Sequence, residues 1–224
     1  MANSNRETIS VNDCQVLTHD KYDGEQYILT LSSSDIAQTT IPGQFVHITV
    51  SDVIAMRRPI SVMSVDKENN SFDLLYKIVG EGTRQLAECK IGDILSVIGP
   101  IGNGFHVTDK KYPLLIGGGV GMPPIIAIAQ QIKNNNKYKP FVILGSEVPF
   151  PFTPQASEIS NTCPSKTLTM PILEEWNVAC GLASLQDFEG VYKGYVTDLA
   201  KEYLDTLSKE DLSQVEVYSC GPHP

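Results

Sequence analysis

The chain has 224 residues, 42% of them hydrophobic, with 17 basic against 26 acidic side chains and a formal net charge of −9. That length and apolar content allow one large or two modest domains and exclude a globally disordered chain. The acidic balance argues against nucleic acid or an anionic membrane surface as partner. No apolar run approaches the ~20 residues of a membrane span, and the polar start MANSNRETIS lacks a signal-peptide core, so a cytoplasmic protein is expected.

From the N-terminus, short alternating apolar runs predict strands over Ile9–Leu17, Tyr27–Leu31, Gln44–Val50, Ile60–Val65, Phe72–Val79 and Ile94–Ile98. Turn signals separate them at Tyr22-Asp23-Gly24, Pro42-Gly43, Glu68-Asn69-Asn70 and Gly92-Asp93. The single helical turn expected here lies around Thr83–Glu88. Six strands without a long helical pattern predict a six-stranded antiparallel Greek-key barrel for residues 7–105.

After a polar join near Asn103–Lys111 the rhythm changes. A strand at Pro113–Ile116 precedes a helix at Ile125–Lys133, then come a strand at Phe141–Leu144, a helix at Thr197–Leu207 and a strand at Val215–Ser219. Strands alternating with helices predict a parallel sheet over residues 110–224, so the fold class is two-domain, β plus α/β. Residues 147–193 are rich in Pro, Ser and Thr and yield no clear elements.

Four stretches carry chemistry. Arg57-Arg58-Pro59-Ile60-Ser61 opens the fourth strand, where an arginine can pair with a phosphate bidentately; a solvated surface arginine fits the same pattern. Leu75-Tyr76-Lys77 leads through Gly80-Glu81-Gly82-Thr83 into a helical turn, either an anion seat or a plain threonine cap. Tyr76 is expected to offer an aromatic plane or a hydroxyl. Gly99-Pro100-Ile101-Gly102-Asn103-Gly104-Phe105 closes the half as a linking loop. Leu114-Leu115-Ile116-Gly117-Gly118-Gly119-Val120-Gly121-Met122-Pro123-Pro124 is a strand, a glycine bend and a helix start. Its glycines allow backbone to approach a pyrophosphate, and the helix start is expected to add free N–H groups and a positive dipole end.

The order of these motifs, closed by Tyr218-Ser219-Cys220-Gly221-Pro222, resembles the ferredoxin–NADP reductase superfamily. It is most similar to the electron-transfer subunits of NAD-dependent dihydroorotate dehydrogenase B. The resemblance implies an FAD-binding barrel and an NAD-binding second domain. It implies that Arg58, Pro59, Ile60 and Ser61 line the isoalloxazine and a phosphate, with Ser61 as hydrogen-bond partner of flavin N5. Leu75, Tyr76 and Lys77 would flank the ribityl and adenine side, and Gly82 and Thr83 would bind the pyrophosphate. Gly117, Gly118, Gly119 and Gly121 would face the NAD pyrophosphate, with Cys220 and Gly221 near the nicotinamide. Ser61 and Cys220 are thus the expected residues at the reacting atoms. NADH would reduce FAD, and electrons would pass singly to a dihydroorotate dehydrogenase catalytic subunit of pyrimidine biosynthesis, in a heterotetramer of two plus two. A generic NAD(P)H-flavin reductase and a non-catalytic binding scaffold remain open alternatives.

The family also implies a 2Fe-2S cluster, but Cys14, Cys89, Cys163, Cys180 and Cys220 lack iron–sulfur spacing. No metal site is therefore expected in this chain; a sequence truncated before the cluster segment is the favoured explanation, with a natural variant lacking the cluster as the alternative. The histidines, at 19, 47, 106 and 223, show no ligand spacing and read as structural or exposed.

Overall fold

In the computed structural model, which describes residues 9–51 and 54–222, six strands close into a barrel. They are β1 (Ser10–Tyr22), β2 (Gln26–Ser32), β3 (Phe45–Ile48), β4 (Arg58–Asp66), β5 (Ser71–Lys77) and β6 (Ile94–Ile101). The expectations for residues 7 and 8 and for His223 lie outside the described residues. The barrel order β1-β2-β5-β4-β3-β6 puts three hairpin-linked strands together and returns β6 beside β3, which is the Greek-key arrangement. Alternation decides the inside: Leu29, Leu31, Ile48, Val62, Phe72, Leu74 and Val97 are almost wholly buried in one core.

Two short helices belong to this unit. The first, α1 (Ser34–Thr39), is absent from the sequence expectation and corrects it. Ser33 caps it by accepting the Ile36 N–H at 3.2 Å, and Ile36 and Ala37 are fully buried. The second, α2 (Glu81–Leu86), is the anticipated turn and begins two residues earlier than expected.

The second compact unit begins at His106. Its strands are β7 (Tyr112–Gly118), β8 (Phe141–Gly145), β9 (Ala179–Ser184), β10 (Tyr192–Lys193) and β11 (Val215–Cys220). They form one parallel sheet in the order β10-β9-β8-β7-β11. Helix α3 (Met122–Ile132) follows β7; α4 (Pro171–Glu175) precedes β9; α5 (Val196–Asp205) and α6 (Lys209–Ser213) precede β11. The chain leaves β7 towards β8 and later returns to β11 on the other side, so right-handed crossovers put α3 and α5 on opposite faces. Leu199 and Tyr203 of α5 pack on Leu114, Phe141 and Ile143, with the Phe141 and Tyr203 rings 4.5 Å apart. The intervening Leu115, Val142 and Leu144 are fully buried as well, as expected of strands covered on both faces. The fold class read from sequence holds. Helices α4 and α6 and strands β9 and β10 are additions to it. Among the described residues no helix is long and apolar enough to cross a membrane.

Candidate functional sites

Each unit carries one cluster of the residues singled out in the sequence. In the barrel, Arg57 lies just before β4 and Arg58 opens it, and the two side chains take different partners. Arg57 is tied down: its guanidinium donates to the Ser96 carbonyl at 2.6 Å and to the Ser96 hydroxyl at 3.0 Å. Arg58 instead lies against the first turn of α2. A Cβ built on Gly82 would sit 2.0 Å from its Nε and 2.5 Å from its Nη2. Only a glycine admits the guanidinium there, because any side chain would occupy the same space.

Arg58 is half-buried, and its Nη1 donates to the Met56 carbonyl at 2.7 Å. Among the described residues no carboxylate pairs with it. A fork of N–H donors therefore lies beside the helix turn, whose leading N–H groups have no acceptor within the helix. The Thr83 hydroxyl is used locally. It accepts from the Val79 and Gly80 N–H groups and donates to the Gly80 carbonyl at 3.1 Å. Thr83 thus shapes the turn through its side chain.

Ile60 faces the core, while Pro59 is exposed and Ser61, opposite Phe45 on β3, is half-buried. Nothing among the described residues partners the Ser61 hydroxyl. Leu75, Tyr76 and Lys77 end β5 against Ile28, Tyr27 and Gln26. The expectation for the Tyr76 side chain is corrected here. Its ring stacks on Tyr27 at 5.3 Å inside the barrel, and its hydroxyl meets His19 Nε2 at 2.8 Å, so neither is presented outward. Burial pushes its phenol above the ordinary range.

In the second unit the cluster lies at the carboxyl edge of the sheet. β7 ends at Gly118, a tight turn spans Gly119–Gly121, and α3 starts at Met122. Register places Cys220 opposite Gly117, so the glycine bend and the end of β11 meet. A Cβ on Gly121 would lie 2.4 Å from the Cys220 carbonyl oxygen, and one on Gly117 would lie 3.0 Å from Met122 Cα. These two glycines allow the bend to pack. Gly118 and Gly119 differ, since a Cβ on either meets nothing within 4 Å, and Gly119 holds φ +52. The bend thus has a packed side and an open side.

The helix start departs from expectation. Met122 N–H is used by the Gly119 carbonyl, and Pro123 and Pro124 have no N–H. The first residues of α3 offer no free donor, so an anion here meets only the main chain of the bend and the dipole of an eleven-residue helix. Cys220 is half-buried, and burial raises its thiol above the ordinary value. It is a thiol at neutral pH rather than a nucleophilic thiolate. Sequence reading missed Gly145, which pairs with Gly118 at the same edge and packs against Val196 of α5. Its available signal was the run Phe141–Leu144 ending in Gly-Ser.

The site lies where the strand order reverses, between β7 and β11, at the carboxyl ends of the strands. That is the usual ligand crevice of an open parallel sheet. Among the described residues no three His, Cys, Asp or Glu side chains are placed to hold a metal. The residues described therefore do not fit an iron–sulfur cluster.

Comparison with known proteins matches residues 9–106 to the oxidoreductase FAD-binding domain family. The electron transfer subunit of dihydroorotate dehydrogenase B (NAD(+)) from Bacillus cereus is 34% identical over 206 residues, spanning 88% of this chain and 68% of that protein. The subunit of the same name from Bacillus anthracis matches with the same identity and coverage. Among solved structures, an NADH-dependent reduced ferredoxin-NADP oxidoreductase superposes with TM-score 0.70 at 23% identity, covering 99% of this chain and 70% of the other. The ferredoxin reductase in carbazole 1,9a-dioxygenase superposes with TM-score 0.71 at 20% identity, covering 96% and 62%. These structural likenesses show a shared fold.

Proposed function

We infer the function from one premise: the chain belongs to the family of electron transfer subunits of dihydroorotate dehydrogenase B. It is accordingly an FAD-dependent oxidoreductase. On our reading it takes electrons from NADH through FAD and delivers them to a dihydroorotate dehydrogenase catalytic subunit. The observation that carries this reading is Arg58, laid on Gly82 with no acidic partner among the described residues.

The cradle passes a simple test of fit. FAD carries a diphosphate, and the barrel sets a fork of cationic donors beside a turn in which Gly82 leaves no side chain in the way. Arg58 would hold the diphosphate bidentately, with the main chain of Gly82 and Thr83 completing the seat. Tyr76 would contribute through its main chain, beside Leu75 and Lys77. Ser61 has a hydroxyl without a partner among the described residues, and it can donate to a ring nitrogen. Gly118 and Gly119 would let the nicotinamide dinucleotide lie against bare backbone, with Cys220 and Gly221 flanking its reacting end. When bound, FAD supplies the conversion between two-electron and one-electron transfer. The chain supplies binding, orientation and hydrogen bonding, and it needs no acid–base pair.

Anaerobic stopped-flow mixing of the FAD-loaded protein with NADH tests the reading. Bleaching of the yellow colour is expected, and a flavin that stays oxidised would favour a binding scaffold instead. Co-purification of a dihydroorotate dehydrogenase catalytic subunit is expected, and its absence in favour of another acceptor would favour a generic flavin reductase.

A further inference from the structure

His19 reads from sequence as structural or exposed, yet its geometry ties it to the flavin seat. β1 pairs Val16 with Leu31 and then Thr18 with Thr30, with the register shifting between them. Such a bulge re-aims the side chains that follow it. Val16 points into the core, and without the shift Thr18 would follow it. Instead Thr18 turns outward and bonds Thr30 at 2.9 Å. His19, opposite the fully buried Leu29, turns in.

There the imidazole meets two groups far apart in sequence. Its Nε2 lies 2.8 Å from the Tyr76 hydroxyl, and its Nδ1 lies 3.0 Å from the Cys89 carbonyl oxygen. A carbonyl only accepts, so Nδ1 carries the proton, and in that tautomer Nε2 is free to accept from the tyrosine hydroxyl. A single neutral tautomer satisfies both contacts. The Tyr27 ring, 5.2 Å away, packs against the imidazole.

Tyr76 is next to last in β5, and Cys89 lies just beyond α2. Between them runs the segment that holds Gly82 and Thr83. We propose that His19 is a positioning residue: by bridging Tyr76 and Cys89 it clamps both ends of this segment and so fixes the diphosphate seat. The proposal rests on the flavin reading above. A turn of six helical residues has little stability of its own, so it needs anchors at its ends, and His19 links them directly to each other.

The test is fluorescence titration of the purified full chain with FAD, for wild type, His19→Leu, His19→Gln, Tyr76→Phe and the His19→Leu/Tyr76→Phe pair. Hydrogen exchange of the apoprotein is followed at the amides of residues 80–89. Removing either end of this part-buried hydrogen bond should weaken FAD binding by about tenfold and speed exchange in that segment. The double variant should be no weaker than the poorer single one, because both remove the same link. His19→Gln, whose amide can donate to Cys89 and accept from Tyr76, should recover most of the affinity. NADH binding by the same variants should match wild type. FAD affinities and exchange rates equal to wild type in Tyr76→Phe and His19→Leu, a His19→Gln variant as weak as His19→Leu, or strictly additive losses would overturn the clamp. A wild-type chain that takes up no FAD would overturn the flavin reading itself, and the clamp with it.

Discussion

On the proposed reading the two units face the same chemical problem, an anion seat for a dinucleotide, with different materials. The barrel uses a charged side chain, Arg58, laid over a short helix whose Gly82 makes room for it. The parallel sheet uses almost no side chain. Its seat is the bare main chain of Gly118 and Gly119 at the start of an eleven-residue helix that has given up its first donors. The first seat depends on one ion and is open to screening. The second depends on backbone shape, and a single added methyl can obstruct it.

Substitutions can separate these designs. The largest effect should come from Arg58→Ala, which removes charge-assisted hydrogen bonds of about 1.5–3 kcal/mol. FAD affinity should fall by about 10- to 100-fold, with NADH affinity unchanged. Arg58→Lys should recover part of it, since a point charge cannot reproduce the bidentate fork. Flavin fluorescence titration reads both.

Gly121→Ala comes next. Its Cβ would lie 2.4 Å from the Cys220 carbonyl, a backbone atom that cannot swing aside. Overpacking of this kind costs about 1–3 kcal/mol, to be seen in denaturant unfolding, and it should reduce NADH binding through the displaced end of β11. Gly118→Ala should behave differently. Its backbone is extended and its Cβ meets nothing, so stability should stay within about 0.5 kcal/mol of wild type while NADH binding weakens. Equal stability losses at Gly118 and Gly121 would erase the distinction between the open and packed sides of the bend.

The smallest effect at neutral pH concerns the barrel core. Burial pushes the Cys14 thiol from 9.0 to about 12. The unfolded chain therefore releases this proton at a lower pH than the folded one. The stabilising contribution is complete below about pH 9 and is lost as pH rises towards about 12. Thermal unfolding midpoints measured upward from neutral pH should fall in wild type. They should fall less steeply in Cys14→Ala.

What the sequence made legible follows the strength of local signals. The six barrel strands are short apolar or alternating runs separated by turn residues, and β7, β8 and β11 are apolar runs bounded by turns, so all were visible. Helix α1 was hidden because it buries only Ile36 and Ala37, although the serine cap that starts it was available. Helix α6 buries nothing, so no periodicity announced it. β9, Ala179–Ser184, is a buried strand made mostly of small residues and a cysteine, which conceals its apolar character. In the barrel seat the motif around Arg58 was legible, but its spelling could not say which arginine of the pair lies against Gly82. Nor could it say that Tyr76 turns inward. Both outcomes follow from tertiary contacts, with Ser96 in one case and His19 in the other.

The central claim is that Arg58 and the first turn of α2 hold the diphosphate of FAD. Fluorescence titration of the purified wild-type chain with FAD, repeated across ionic strength, tests it most directly. Saturable quenching whose affinity declines as salt rises is the predicted result. Flavin emission that stays unquenched, or binding indifferent to salt, would contradict it.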